Sequence, residues 1–378
     1  MQTIVGGMRR TFLPLMLAFS VGLAPLPASA QAPLKNALAP AQAAAVDDAI
    51  QAEMTRQQVV GVAVGIIRDG QIVYLKGYGQ ADREQRTPVT TETVFSWASN
   101  SKPLAAVAAM QLVDKRQLDL DADVRKYVPE FPDKGVVITS RHLLSHQSGI
   151  PHYGNGPVIP THRSYSTSKP FMDPILAVDS FNRSPLLFKP GKKVSYSSYG
   201  YILLSAVIQR AGNDQFESQI QERIAKPLAI KTLQLDVESR NQSEWAAGYI
   251  KTKDGQVIRA PEEAHYWKHG AGGFKSNIGD FARWAEALIN RRLVSEEAEN
   301  QMWTPQKTAE GNVTNRGLGF IVQNQGGLKV SHNGEQPEAA TRMVIYPKAR
   351  HGVVIMCNSG FANIGVFSTA VYSALNRK

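Results

Sequence analysis

Strand-like segments at the two ends of the chain constrain its fold most. Residues 59–68 and 71–78 are rich in Val, Ile and Tyr, and they are separated by Asp69-Gly70, a dipeptide that favours a tight β-hairpin turn. A similar pair, residues 342–346 and 352–358, lies near the C-terminus. We therefore expect one antiparallel sheet to which both ends of the chain contribute strands.

The middle of the chain has helical periodicity instead. The predicted helices are residues 41–56, 102–114, 141–146, 199–210, 215–225, 280–290 and 363–376. This order predicts an α/β fold of the α+β kind, an antiparallel sheet flanked by helices and formed by both termini, with a helical insertion domain. We place the sheet domain at residues 31–98 and 275–378 and the mainly helical domain at residues 99–274.

Residues 1–30 have the pattern of a secretory signal peptide. Arg9 and Arg10 precede a mostly apolar stretch, residues 12–23, and Ala28-Ser29-Ala30 provides a small-residue cleavage site. Because the apolar stretch is short for a bilayer span, we expect cleavage and a periplasmic or secreted protein without a stable transmembrane anchor. The alternative is that the segment is kept as an anchor.

The charge of the chain argues against one class of partner. The formal net charge of +10 becomes +8 without residues 1–30, since that segment contains two arginines and no acidic residue. The sequence has no run of basic residues and no nucleic-acid-binding motif, so we interpret the charge as a solvated basic surface and expect no nucleic acid partner. The only cysteine, Cys357, lies in an apolar run and is predicted to be a buried core residue.

A serine lies at the start of the most apolar predicted helix. Ser99 is followed three residues later by Lys102, and then by the apolar residues 103–110. Residues three apart share one face of a helix, so the Lys102 amine can approach the Ser99 hydroxyl. Lysine can accept a serine proton only where burial or nearby charge lowers its pKa, and an apolar helix supplies such a setting. The alternative is a plain helix N-cap beside a solvated lysine.

The spacing of Ser99 and Lys102 is a weak signal by itself. Ser166 and Lys169 have the same spacing and are also followed by a proline. They lie in residues 154–174, a stretch dense in Gly, Pro, Ser and Thr, which predicts an irregular loop that cannot bury a lysine. We therefore favour Ser99 as the nucleophile.

Two later segments carry polar side chains at the edges of predicted elements. Tyr196 and Ser198 lie in a turn that opens an apolar helix. His332-Asn333-Gly334 lies in a short predicted strand, where the glycine permits close approach of a ligand to the backbone. Either segment alone is better explained as structural.

Taken in order, these segments resemble a known family. A Ser-x-x-Lys helix start, a Tyr-x-Ser turn, Gly272-Gly273 and a His-x-Gly strand follow one another, and residues 142–150 add to the likeness. The chain resembles the penicillin-recognising serine hydrolases, which include class C β-lactamases, DD-peptidases and related esterases. Residues 127–132 and 148–153 look most like bacterial relatives of the mitochondrial serine β-lactamase-like protein.

The resemblance implies roles for individual residues. Ser99 would be the acylated nucleophile, Lys102 its proton acceptor and Tyr196 a second proton-transfer group. The backbone N–H groups of Ser99 and Glu335 would stabilise the oxyanion. Ser198, His332 and Gly334 would complete the substrate-binding surface. No cofactor is implied, and the expected partner is a small-molecule or peptide substrate, including peptidoglycan-derived peptides.

Two departures from the best-known lactamase pattern bear on the substrate. Ser198 occupies the place of an asparagine, and His332 that of a lysine. Serine offers no amide, and a histidine with an ordinary pKa of about 6.5 is mostly neutral near pH 7. We therefore expect a site without a fixed positive charge, which favours uncharged esters or peptide-like amides over carboxylate-bearing β-lactams. Protonation of His332 below about pH 6 would partly restore carboxylate recognition.

A zinc site is one alternative to consider, because His142 and His146 are spaced like a zinc pair. Position 143 is Leu where the H-E-x-x-H motif has Glu, and no third ligand is evident. We therefore interpret both as buried hydrogen-bonding histidines and expect no metal. The main alternative to an enzyme is a catalytically silent envelope protein that binds peptidoglycan or a protein partner.

Overall fold

The computed structural model of the protein describes residues 37–237 and 244–376. The predicted signal peptide, residues 1–30, lies outside the described residues. Within them, no helix has the length and apolar character needed to cross a bilayer.

Strands from both ends of the chain form one large sheet. Its seven strands are antiparallel and lie in the order β3-β2-β1-β12-β11-β10-β9, with these bounds: β1 Gly61–Arg68, β2 Gln71–Asp82, β3 Thr87–Pro88, β9 Ile321–Gln323, β10 Lys329–Gln336, β11 Ala339–Tyr346 and β12 His351–Cys357. The central pair joins β1 to β12, with Val62 opposite Cys357. The prediction of a single antiparallel sheet completed by both termini is confirmed.

The turn between β1 and β2 follows from its sequence. Asp69 and Gly70 both have positive φ, 53° and 74°. Two successive residues of this kind are typical of a two-residue hairpin turn whose twist matches that of the strands, and Asp-Gly is among the sequences that tolerate it best.

The remaining strands are short. They are β4 Val94–Ser96, β5 Gln234–Leu235, β6 Tyr249–Lys251, β7 Val257–Arg259 and β8 Phe274–Asn277. Strands β4, β8 and β5 form a three-stranded antiparallel sheet, and β6 pairs with β7. The three-stranded sheet lies at the point where the chain passes from the predicted sheet domain into the helical segment, immediately before Ser99. The division into two domains stays a prediction.

Helices cover both faces of the large sheet. The α-helices are α1 Pro40–Gln57, α2 Ser101–Asp114, α3 Ser140–Leu144, α4 Pro174–Ala177, α5 Ser198–Gly212, α6 Phe216–Ile220, α7 Ile278–Ile289, α8 Glu296–Met302 and α9 Ile364–Leu375. Alternate residues of β1 point to opposite faces, so Val62, Val64 and Ile66 pack in one core with α1 and α9. Ala63 and Ile67 belong to a second core with α2, α5 and α7. Burial on both faces explains why β1 is almost entirely apolar.

The predicted helices agree with the structure except in one segment. Residues 215–225 are not a single α-helix: α6 ends at Ile220, and a π-helical turn, Gln221–Ala225, follows it. Ser166 and Lys169 lie outside every helix and strand, in agreement with the predicted loop.

Strand β10 packs directly against the turn that carries Ser99. The Thr341 hydroxyl on β11 donates to the Trp97 carbonyl over 2.8 Å. The Asn100 amide lies beside it, oriented so that Nδ2 donates to the His332 carbonyl and Oδ1 accepts from the Gly334 N–H, each over 3.2 Å. A Cβ at Gly334 would lie 2.2 Å from the Thr341 oxygen and 2.3 Å from the Trp97 oxygen. The glycine is therefore required for this close approach.

We predict that Gly334→Ala destabilises the protein. The added methyl group has no space between β10 and the Trp97 carbonyl, so the strand must shift, at a cost of about 1–3 kcal/mol in the free energy of unfolding. Urea denaturation followed by circular dichroism measures the change. Gly365→Ala is the matched control, because the nearest atom to its new Cβ is 3.4 Å away. Equal stability of the two variants would contradict the tight contact.

Candidate active site

Ser99 directly follows a residue with a strained backbone conformation. Ser99 belongs to a 3₁₀ turn, Ala98–Asn100, which leads directly into α2. Ala98 has a φ of 45°, a conformation that costs a residue with a side chain about 1–2 kcal/mol. This bend lies immediately before Ser99, and the buried contacts of Trp97 and Asn100 with β10 and β11 hold it in place.

Lys102 lies one helical turn after Ser99 and is completely buried. Its amine, Nζ, is 3.1 Å from Ser99 Oγ and 3.1 Å from Ser198 Oγ, and it also donates to the Ala271 carbonyl. The side chain has no exposed surface. Burial, assisted by the positive charge of Lys268, holds the pKa of Lys102 well below its usual 10.5. The amine is therefore poised to be neutral.

A neutral amine fits these three contacts. Uncharged Nζ has two hydrogens and one lone pair. The hydrogens satisfy the Ala271 carbonyl and Ser198 Oγ, so the lone pair is left facing the Ser99 hydroxyl. In this arrangement Lys102 can accept the Ser99 proton. The contact with Ser198 was not predicted from the sequence.

Tyr196 contacts the same hydroxyl from the other side. Its OH donates to Ser99 Oγ over 2.8 Å, and its ring lies 4.8 Å from Lys102 Nζ. Burial raises the pKa of Tyr196 to about 12, although the hydrogen bond to Ser99 and the charge of Arg316 act in the opposite direction. Tyr196 is therefore protonated at neutral pH and can donate a proton to a group beside Ser99 Oγ.

Two histidines hold the turn that contains Tyr196. His146 Nδ1 accepts from the Ser197 N–H and His152 Nδ1 accepts from the Ser198 N–H, each over 3.2 Å. Both rings also pack on Tyr196, with centroid distances of 4.4 Å and 5.3 Å. Accepting these bonds requires neutral rings. Burial lowers the pKa of His152 to about 4 and that of His146 well below its usual value, so both stay neutral.

His142 and His146 are expected from the sequence to be buried hydrogen-bonding histidines; each makes a hydrogen bond, His146 is buried and His142 is half-buried. His142 Nδ1 accepts from the Thr139 N–H at the start of α3, whereas His146 points to the Tyr196 turn. The described residues contain no cluster of three or more His, Cys, Asp or Glu side chains with the geometry of a metal site.

His332 is more deeply buried than its place on a strand indicates. It lies on β10, and its Nδ1 is 2.6 Å from the Asn333 carbonyl. Burial lowers the pKa of His332 to about 3 and the charge of Arg316 acts in the same direction, although the bond to Asn333 acts in the opposite direction. The expectation that His332 becomes charged below about pH 6 is therefore wrong, because the sequence does not reveal this burial.

Five of the seven predicted site residues line one cleft of about 570 Å³. Ser99, Tyr196, Ser198, His332 and Glu335 line it, together with His152, Tyr153, Trp267, Lys268 and Arg316. Gly334 does not line the cleft and instead packs against the Ser99 turn. Ser166 and Lys169 are not part of it.

Arg316 corrects a second expectation. It places a permanent positive charge in the cleft, with its Cζ 6.0 Å from the centroid of the Tyr196 ring. The prediction of a site without a fixed positive charge is therefore wrong. Arg316 precedes Gly317-Leu318-Gly319 in a loop with no recognised chemical motif, so only the fold could place it beside Ser99.

Comparison with known proteins identifies the family of the chain. A family model described as Beta-lactamase matches residues 46–369. The human mitochondrial serine β-lactamase-like protein LACTB is 26% identical, over 83% of this chain and 76% of its own length. Penicillin-binding protein 4* of Bacillus subtilis is 27% identical, over 76% of this chain and 66% of its own length.

Solved structures give the same result. An octameric penicillin-binding protein homologue from Pyrococcus abyssi superposes with a TM-score of 0.74 at 27% identity, over 88% of this chain and 76% of that one. The fold is also shared with EstCE1, a hydrolase with promiscuous acyltransferase activity, at a TM-score of 0.74 and 22% identity, over 89% of this chain and 99% of that one. The resemblance found in the sequence is confirmed, and the chain belongs to the Beta-lactamase family.

Proposed function

We propose that the protein is an exported serine hydrolase that acts through an acyl-enzyme on amide, peptide or ester bonds. One observation carries the proposal: Ser99 Oγ lies between a fully buried lysine amine, 3.1 Å away, and a tyrosine hydroxyl, 2.8 Å away. A nucleophile beside a base of lowered pKa is the arrangement that covalent catalysis requires. Export rests on the sequence pattern of residues 1–30.

In the first half of the reaction, Ser99 Oγ attacks the substrate carbonyl carbon as its proton passes to Lys102 Nζ. The carbonyl oxygen becomes an oxyanion, for which the N–H groups of Ser99 and Glu335 are the proposed donors. Collapse of this intermediate breaks the bond to the leaving group. That group takes a proton from Tyr196, and the proton on Lys102 then restores the tyrosine.

In the second half, water attacks the ester on Ser99. The neutral Lys102 amine accepts a proton from this water and passes it to the Ser99 oxygen as the acid product departs, while Tyr196 keeps its own proton. The protons balance over the two halves, because the Ser99 proton departs with the leaving group and a proton from water replaces it.

The alternative is a silent envelope protein that uses the cleft only to bind peptidoglycan or a protein partner. A protein that had lost catalysis would not need to keep an uncharged lysine at the Ser99 hydroxyl, since a buried lysine destabilises the fold. The intact arrangement of Ser99, Lys102 and Tyr196 therefore favours the enzyme.

We predict that Ser99→Ala abolishes both turnover and covalent labelling. A fluorophosphonate or penicillin probe should add to the wild-type protein at Ser99, as measured by intact-protein and peptide mass spectrometry. Ser166→Ala is the matched control, because Ser166 has the same sequence spacing to a lysine but lies in an exposed loop. An adduct at Ser166, or one that survives Ser99→Ala, would refute the assignment. Absence of any label on folded wild-type protein would favour the silent alternative.

We predict that Lys102→Arg lowers the acylation rate at least about a hundredfold, because arginine keeps the positive charge but cannot accept a proton near neutrality. Stopped-flow or quenched measurements of acylation give the rate. The free energy of unfolding of the same variant, measured in urea, controls for a misfolded site. Near-wild-type acylation in a folded variant would show that a cation alone suffices.

A further inference from the structure

The side-chain amide of Gln336 connects two segments of the chain close to Ser99. Its Oε1 accepts from the Ser96 hydroxyl over 3.1 Å, and its Nε2 donates to the Gly272 carbonyl over 2.8 Å. The Ser96 oxygen in turn accepts from the Ala98 N–H over 3.1 Å. These three hydrogen bonds, the Gln336 network, therefore link the Gly272 carbonyl to the Ala98 N–H.

The Gln336 network lies directly beside both proposed oxyanion donors. Gln336 is the last residue of β10 and directly follows Glu335. At the other end of the network, Ala98 directly precedes Ser99. The network therefore joins the two backbone segments whose N–H groups are proposed to stabilise the oxyanion.

A second contact joins the same two segments on the other side of these donors. The Gly334 N–H donates to Asn100 Oδ1 over 3.2 Å. Gly334 immediately precedes Glu335, and Asn100 immediately follows Ser99. Strand β9 pairs only with the first three residues of β10, so within the described residues no strand supports that edge of β10 near Glu335. The side chains of Asn100 and Gln336 supply the support instead.

The two donors have to be placed accurately, because the negative charge on the substrate oxygen exists only in the transition state and the short-lived intermediate. A displacement of about 1 Å can lower a rate about a hundredfold. The backbone before Ser99 also needs support, since Ala98 has a φ of 45°, an unfavourable conformation for a residue with a side chain. The hydrogen bond from the Ala98 N–H to Ser96 helps to hold this bend.

We propose that Gln336 and Ser96 are positioning residues, whose hydrogen bonds hold the N–H groups of Glu335 and Ser99 at the separation that the oxyanion requires. This inference rests on the proposed function and assigns two further residues to it. Neither side chain contacts the reacting atoms in this role.

Two other roles for Gln336 give different results. Gln336 lines the cleft, so its amide could contact the substrate directly, but Ser96 on β4 does not line the cleft and its loss would then have no effect. The network could instead support the base, because Gly272 follows Ala271, whose carbonyl accepts from Lys102. Loss of that support would slow every substrate by the same factor.

The test compares two esters that differ only in the atom that becomes the anion. They are p-nitrophenyl acetate and p-nitrophenyl thionoacetate, which has sulfur in place of the carbonyl oxygen. Sulfur is a larger and weaker hydrogen-bond acceptor, so the thionoacetate gains little from the two N–H donors. The measured quantity is the ratio of kcat/KM for the acetate to that for the thionoacetate, compared between wild type and variants so that intrinsic reactivity cancels.

We expect Gln336→Met to lower this ratio about 10- to 100-fold, less than the loss of about 100- to 1000-fold that follows removal of a whole oxyanion donor. Ser96→Ala should lower it in the same direction, and Ser96→Thr, which keeps the hydroxyl, should restore it. The double variant Ser96→Ala, Gln336→Met should lose no more than Gln336→Met alone, because both side chains act in one network.

Gln325→Met is the matched control, because it removes an exposed amide from the turn between β9 and β10 and should leave the ratio unchanged. Urea unfolding of each variant checks that it is folded, and Ser96→Ala carries the test if Gln336→Met is not. A ratio that stays at the wild-type value in Ser96→Ala and in every folded Gln336 variant would overturn the inference. A loss in Gln336→Met that Ser96→Ala does not share would assign a direct substrate contact and also overturn it.

A binding measurement separates this inference from the proposed function. Phenylboronic acid forms a tetrahedral adduct with a serine oxygen, so its binding requires Ser99 and the oxyanion donors but no turnover. Calorimetry compares wild type, Ser99→Ala and Gln336→Met. Binding that depends on Ser99 and weakens at least about tenfold in Gln336→Met, in a wild type that turns over no ester, amide or peptide, would support the positioning role and reject the hydrolase. An active wild type whose ester ratio and boronate affinity are the same in Gln336→Met would keep the hydrolase and reject the positioning role.

Discussion

Complete burial of the Lys102 amine is the constraint on which the rest of the site depends. A buried ammonium would cost several kcal/mol, so the neutral amine is favoured, and a neutral amine needs two acceptors. The structure provides them from distant segments, the Ala271 carbonyl before β8 and the Ser198 hydroxyl at the start of α5. The lone pair that remains has one direction open to it, toward Ser99. Packing of the helical segment thus determines both the protonation state and the orientation of the Lys102 amine.

Neutrality extends to the residues around the lysine. His146 and His152 can hold the Tyr196 turn only while their Nδ1 atoms accept hydrogen bonds, and burial keeps both rings in that form. Arg316 keeps its charge in this cleft, which Lys268 also lines.

The sequence predicted the fold well because its elements leave local patterns. The strand-like segments at the two ends and the Asp69-Gly70 turn can each be recognised without knowing what lies beside them, whereas Ser99, Lys102 and Tyr196 were grouped only by taking distant segments together. The errors concern quantities that depend on neighbours. The charge of His332 depends on burial contributed by other elements, and Arg316 belongs to a loop that enters the cleft only in the folded chain. The sequence assigned no role to His152, which lies in residues 148–153 and contributed only to the family resemblance. Its hydrogen bond to the Ser198 N–H joins segments that are distant in sequence.

The pairing of β1 with β12 has a consequence for when the cleft forms. Val62 lies opposite Cys357, so most of the chain is synthesised between the two central strands of the sheet. Contacts so distant in sequence form slowly, because the chain between β1 and β12 loses conformational entropy before the paired strands stabilise the fold. Strand β10, which packs against the turn that carries Ser99, pairs with β11, and β11 in turn pairs with β12. We therefore expect a nascent chain to have no active cleft until strands β10 to β12 have been synthesised. During that interval the chain is an unfolded and inactive precursor.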